Sequence, residues 1–194
     1  IITNCISYGF KIFYISVNYK SEMIKEYFGN GDKWGIKIAY INEEEKLGTA
    51  GSLSLLDFIP PKEFLVINAD LLTKVDLHEF LSFHLDKESM GTMAVKDYEI
   101  VVPYGVVKSN NGQITEINEK PVQRFFVNAG LYVFDPKVLN LLSKVTNLDM
   151  PSFFEMIINK NLKTMIFPIL EEWIDIGNFD DYNRAKIKYS GKKL

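Results

Sequence analysis

Apolar and polar positions along this chain switch repeatedly between a helical and a strand-like period, and the order of those switches is the first guide to architecture. Ile1, Ile2, Cys5 and Ile6 form an apolar helical stripe that stops at Gly9, so a helix remnant up to about Tyr8 is expected. Lys11 to Val17 is β-branched and aromatic and predicts a strand. Ser21 to Phe28 opens on an N-cap residue and sets Met23, Ile24, Tyr27 and Phe28 on one helical face. A loop with Gly29, Gly31 and Gly35 follows, then a strand over Ile36 to Ile41, a short helix over Ala50 to Leu56 and a strand over Phe64 to Asn68. Asp76 caps an amphipathic helix reaching Leu85. Strands are expected over Gly91 to Val95 and Tyr104 to Lys108, and Ile114 to Asn118 returns after an Asn110-Asn111-Gly112 turn. Phe126 to Phe134 reads as a long apolar strand, and helices are expected over Pro136 to Leu142, Ser152 to Ile158 and Asp180 to Lys188.

Early alternation of strand and helix implies βαβ units and a parallel sheet, and the hairpin in the middle makes the sheet mixed. No repeat, low-complexity stretch or linker interrupts the pattern, so one α/β domain over 1–194 is expected, with 47% hydrophobic residues to fill its core. The abrupt start on an apolar stripe reads as a domain incomplete at its N-terminus. A formal charge of −3 argues against a nucleic-acid surface, which needs a basic patch. No run of 18 or more apolar residues is present and no basic-then-apolar leader opens the chain, so no membrane partner is expected. The lone Cys5 can form no internal disulfide and reads as a small buried thiol, which suits a reducing cytoplasm.

Four segments carry residue types that packing explains poorly. Asp70 closes the apolar run Phe64 to Asp70, and Asp175 lies in Trp173-Ile174-Asp175-Ile176-Gly177 just after the apolar Ile166 to Leu170. Ligands of open α/β sheets bind outside the carboxyl ends of strands. Two carboxylates delivered there could share a hard cation such as Mg²⁺, which takes oxygen ligands and bridges to phosphates. Leu47-Gly48-Thr49-Ala50-Gly51 is a small-residue turn before a helix, where free N–H groups can meet a flat ligand or a phosphate, or simply start the helix. Glu119-Lys120-Pro121 sets an acid beside a base, which suits a sugar phosphate or a solvated turn. His78 and His84 share the helix after Asp70, outside every such segment, and read as structural.

The order of these segments, with Pro103-Tyr104-Gly105-Val106-Val107 and Asn128-Ala129-Gly130-Leu131-Tyr132 between them, resembles the sugar-phosphate nucleotidylyltransferases along nearly the whole chain. The likeness is nearest the branch that handles mannose, heptose or amino-sugar 1-phosphates. The resemblance implies a Rossmann-like nucleotide-diphospho-sugar transferase fold with a mixed, mostly parallel sheet and flanking helices. It implies that an NTP and a sugar 1-phosphate give an NDP-sugar and pyrophosphate. It implies Mg²⁺ on Asp70 and Asp175, a nucleobase against Leu47, Gly48 and Thr49, sugar hydroxyls on Glu119 and Asn128, sugar phosphate on Lys120, and sugar against the Gly105 backbone. Glu43-Glu44-Glu45 before Leu47 looks most like the guanylyl-transferring relatives.

One family signature, an Arg-containing Gly-rich phosphate loop after the first strand, occurs nowhere in the sequence. The expected sheet therefore lacks its first strand and phosphate loop, exposes unpaired edges, and leaves these 194 residues weakly active or inactive by themselves. Another chain could fill the gap, so a homo-oligomer is among the expectations. A non-catalytic sugar-nucleotide-binding module is the alternative from a different class. A glycosyltransferase is the third, although its usual Asp-x-Asp metal motif is absent.

Overall fold

The long apolar strand near residue 130 can bury both faces only if partners flank it and helices cover it, and that is how the core is arranged. The computed structural model describes residues 1–177, 181–183 and 185–186. Its strands are β1 (Ile12–Val17), β2 (Lys37–Asn42), β3 (Phe64–Ile67), β4 (Leu71–Thr73), β5 (Gly91–Val101), β6 (Val106–Asn110), β7 (Gln113–Asn118), β8 (Val122–Phe134), β9 (Thr164–Pro168) and β10 (Trp173–Asp175). Its α-helices are α1 (Ile2–Ser7), α2 (Ser21–Phe28), α3 (Gly48–Gly51), α4 (Leu77–Asp86) and α5 (Met150–Asn159). The central sheet has the order β3-β8-β5-β9, in which β8 opposes the other three strands and those three share one direction. This is the mixed α/β arrangement, mostly parallel in strand direction, that the sequence implied.

Alternation along the strands divides the core into two layers. Ala129, Leu131 and Val133 of β8, with Leu65 and Ile67 of β3, face a cluster that includes Leu77 and Phe80 of α4. Tyr132 and Phe134, with Phe64 and Val66, face Met150, Phe153, Phe154 and Ile157 of α5. Successive side chains of a strand point to opposite faces, so one apolar run serves both layers and each helix seals one of them. Asp76 caps α4 as expected, its Oδ1 accepting from the amides of His78 and Glu79 at 2.9 Å each. Cys5 joins the first layer at 4% exposure, and burial pushes its thiol pKa up.

Several expectations are corrected. β5 and β8 run far beyond the predicted Val95 and Phe126, pairing as a ribbon out to Val101 and Val122. Tyr98, Ile100, Val101, Val122, Phe125 and Phe126 lie exposed on that ribbon. β4 and β10 went unpredicted because three residues carry too little period to read. The residue before α2 is Lys20 in a left-handed conformation, so Ser21 does not cap it, and Met23 and Tyr27 are exposed rather than buried. Residues Ser52–Leu55 and Pro136–Leu141 form 3₁₀ rather than α-helix. Of the helix expected over Asp180 to Lys188, residues 181–183 and 185–186 are described and helical, and the rest, with Asn178, lie outside the described residues.

Among the described residues β1 pairs only with β2, in parallel, and β3 only with β8, so each keeps one open edge. The four residues of β3 are all half-buried, and Ile12 and Tyr14 of β1 are exposed. Unpaired edges and exposed apolar side chains are therefore present among the described residues.

His84 is buried at 1% exposure between α4 and β5, with Nδ1 2.8 Å from Thr92 Oγ1 and no partner for Nε2 among the described residues. Burial holds its pKa below the ordinary 6.5. The unfolded chain then binds this proton more readily than the folded one, so stability is full above about pH 6.5 and declines as pH falls, until the lowered folded value is passed. Urea unfolding at pH 7.5 and 5.5 should show this decline, at most ~1.4 kcal/mol per pH unit from this group. His84→Gln should remove that component, and an identical slope in the variant would contradict it.

Candidate active site

A break in the β5–β8 ladder gathers the expected aspartates. β5 steps two positions from Met93 to Val95 while β8 steps four, from Tyr132 to Asn128, so a bulge centres on Ala129, Gly130 and Leu131. Bulges re-aim side chains and free backbone groups for other partners. Here the Ala129 carbonyl accepts from the Trp173 indole at 2.8 Å, while on the β3 side the Gly130 carbonyl accepts from the Asn68 amide at 2.9 Å and continues the β3–β8 ladder. The Gly130 amide donates to Asn128 Oδ1 at 2.9 Å. Burial pushes the Tyr132 phenol pKa up, and a hydrogen bond with the Asn128 side chain partly offsets it.

The chain leaving β3 thus starts from a fixed point and turns through Asp70 into β4. β10 then pairs antiparallel with β4, setting Asp175 opposite Leu71, and the Ile176 amide donates to the Asp70 carbonyl at 2.8 Å. Both aspartates are exposed, and among the described residues neither carboxylate has a hydrogen bond or ion pair. Two hard, unengaged oxygen donors on adjoining backbone suit Mg²⁺, which needs only one or two carboxylates when phosphates and water complete its shell. No group of three or more His, Cys, Asp or Glu among the described residues could form an all-protein cage.

A second group forms where the ribbon closes. Glu119 lies against Gly105, where an added Cβ would come 2.8 Å from Oε2. The Lys120 amide donates to the Tyr104 carbonyl at 3.3 Å, and the Val102 amide to Pro121 at 3.1 Å, so the two turns are strapped together. Lys120 has φ 47°, a left-handed conformation that costs a non-glycine residue of order 1 kcal/mol or more. Glu119 and Lys120 are both exposed.

The third group is Leu47, Gly48 and Thr49, and here the structure adds an intramolecular reason for the small residues. A Cβ on Gly48, at φ 81°, would meet Leu148 O and Asp149 Oδ1 at 2.6 Å each. The Thr49 hydroxyl accepts from the Met150 amide at 2.8 Å while the Thr49 amide donates to Asp149 Oδ1 at 3.2 Å. This reciprocal capping starts α5 and anchors the turn. Leu47 is buried, its amide donating to Glu43 Oε2 at 3.2 Å, which gives one member of the acidic run a structural partner. Gly48 and Thr49 stay exposed. No hydrogen bond or ion pair among the described residues links the three groups directly.

Sequence reading missed Asp149, Lys96 and the bulge itself. Gly130 between two apolar residues is the one local signal that could have revealed the bulge, since an isolated glycine within a strand often marks one.

Residues 1–191 match the sequence profile of the family described as "Nucleotidyl transferase". The mannose-1-phosphate guanylyltransferase catalytic subunit beta of Dictyostelium discoideum is 34% identical over 177 residues, covering 87% of this chain and 48% of that protein. The UTP–glucose-1-phosphate uridylyltransferase of Synechocystis is 30% identical over 198 residues, covering 92% of this chain and 51% of that protein. The crystal structure of HddC from Yersinia pseudotuberculosis complexed with GMP-PN shares the fold, with a TM-score of 0.71 at 22% identity, over 97% of this chain and 83% of that one. The chain spans about half the length of the curated relatives it matches.

Gly130 has φ 72°, and a Cβ there would meet Leu71 Cδ1 at 2.8 Å and Asn68 Nδ2 at 2.9 Å. Gly130→Ala should lower the unfolding free energy by about 2 kcal/mol, the cost of a left-handed alanine plus the clash. It should also shift the Trp173 fluorescence, because the indole bonds to the same bulge. Denaturant titration followed by fluorescence measures both, and a variant matching wild type in both would contradict the bulge geometry.

Proposed function

The chain belongs to the nucleotidyl transferase family, and from that premise we propose that it carries the sugar-nucleotide site of a sugar-1-phosphate nucleotidylyltransferase. An oxygen of the sugar 1-phosphate attacks the α-phosphorus of an NTP, the bond to the β-phosphate bridge breaks, and pyrophosphate leaves. The observation that carries this reading is the β4–β10 pairing, which sets Asp70 and Asp175 on adjoining backbone with carboxylates unengaged among the described residues.

In this reading Asp70 and Asp175 hold Mg²⁺, which when bound supplies charge neutralisation at the phosphates. The remaining work is positioning, which converts the encounter of two substrates into an oriented reaction. Leu47, Gly48 and Thr49 receive the nucleobase on the exposed side of the turn. Glu119 and Asn128 accept from sugar hydroxyls, the Gly105 backbone lies against the sugar, and Lys120 meets the sugar phosphate with its ammonium. The NTP is GTP and the sugar of mannose or heptose type. Support comes from the guanylyltransferase named above and from the GMP-PN held by HddC. The Arg-containing phosphate loop is absent from these 194 residues, so this stretch alone releases pyrophosphate weakly or not at all.

Thermal shift with Mg²⁺ and a panel of GDP-, UDP-, CDP-, ADP- and dTDP-sugars tests the site. A ligand at ~100 times its dissociation constant adds about 2.7 kcal/mol of stability. A GDP-sugar should give a Mg²⁺-dependent shift that Asp70→Asn and Asp175→Asn each abolish. A shift with full metal independence, unchanged in both variants, would favour the non-catalytic binding module; no shift with any nucleotide sugar would contradict the site.

A further inference from the structure

The segment from Ile169 to Glu172 joins β9 to β10 and so delivers Asp175, yet it belongs to neither strand. Lys96 of β5 reaches beneath it. Its Nζ donates to the carbonyls of Ile169 at 3.2 Å, Leu170 at 3.2 Å and Glu171 at 3.0 Å. An ammonium has three donors and no acceptor, so this contact uses the whole of its hydrogen-bonding capacity. Three consecutive carbonyls turned toward one point repel one another, and a half-buried positive charge at that point is what makes the turn favourable.

The segment is anchored at both ends besides. The Ile169 amide donates to Val95 at 2.9 Å, one residue before Lys96, and the Glu172 carbonyl accepts from the Lys74 amide at 3.1 Å. Trp173 then bonds to the β8 bulge, and β10 pairs with β4. Among the described residues, Lys96 is the one side chain that hydrogen-bonds to the intervening carbonyls.

We infer that Lys96 is a positioning residue for Asp175: its ammonium fixes the turn that carries the second carboxylate to the first. Its three donors go to carbonyls, so it acts through the backbone. Its role rests on the proposed function for its consequence, but the geometric part stands without it. An Arg cannot replace it fully, because a planar guanidinium does not present three donors to one point. The side chain of Lys74, more than half exposed in its ion pair with Glu172 at 3.0 Å, provides the contrast within the same turn, since exposed pairs contribute little.

The test uses the protein at its full natural length, with Trp34 and any other tryptophan except Trp173 replaced by Phe so that Trp173 alone reports on the turn. Lys96→Met should shift the Trp173 emission and raise the Mg²⁺ concentration for half-maximal turnover roughly tenfold. On the folded fraction it should lower kcat by roughly tenfold or more, with KM for both substrates within about twofold. Lys96→Arg should recover part of the loss, and Lys74→Met should resemble wild type. A folded Lys96→Met with wild-type emission and wild-type Mg²⁺ dependence would overturn the inference; so would a fall in KM terms alone. If Lys96→Met does not fold, Lys96→Arg decides by the same two readouts. Wild-type protein with no Mg²⁺-dependent turnover would refute the proposed function, and the Trp173 emission would then decide the positioning role by itself.

Discussion

Backbone hydrogen bonds at the β8 bulge hold together segments that are far apart in the chain. The Gly130 carbonyl accepts from Asn68 on the β3 side, and the Ala129 carbonyl accepts from Trp173, so the strand that ends near Asp70 and the strand that carries Asp175 are both referred to the same short stretch of β8. The β4–β10 pairing and the Ile176–Asp70 bond then close the arrangement. The aspartate side chains play no part in this scaffold among the described residues. Among the described residues their carboxylates are exposed and unengaged, as a ligand site requires and as a structural aspartate usually is not.

The same division recurs in the other two groups. Main-chain bonds strap the Tyr104 turn to the Lys120 turn, and Lys120 accepts a strained backbone while its ammonium stays exposed. The Thr49–Asp149 exchange spends its polar groups on starting α5, leaving the exposed surface of the turn available. Scaffold work falls on amides, carbonyls and small residues, and the chemically reactive heads are left to solvent. Among charged side chains, Asp76, Asp149 and Glu43 accept from amides and Lys96 turns all of its donors inward to carbonyls.

How much of this was legible in the sequence depended on whether a feature leaves a periodic or paired trace. The apolar run of β8, with residues from both layers, announced a central strand, and Asp76 ahead of an amphipathic stretch announced the cap of α4. Asp70 and Asp175 stood out because a carboxylate after an apolar run has no packing purpose. The ribbon beyond Val95 and Phe126 was invisible because both its faces are exposed, which removes the alternation that marks a strand. β4 and β10 are too short to carry a period and exist because they find each other. Ser21 looked like a cap, but the left-handed turn at Lys20 takes its place. Gly48 suggested an approach for a ligand, whereas the nearest constraint is the 148–149 backbone and side chain, which no local pattern could show. Lys96 reads in sequence as an ordinary strand lysine, and only the fold brings the 169–171 carbonyls to it.

The claim that all of this serves one metal site is tested most directly by crystals of the full-length protein grown with Mn²⁺ and a nucleotide sugar. Anomalous difference maps recorded near the manganese edge would locate the ion. The expected result is a single peak contacted by carboxylate oxygens of both Asp70 and Asp175 and by a phosphate oxygen of the ligand. A bound nucleotide sugar with the peak on only one of the two aspartates, or away from both, would contradict the shared site.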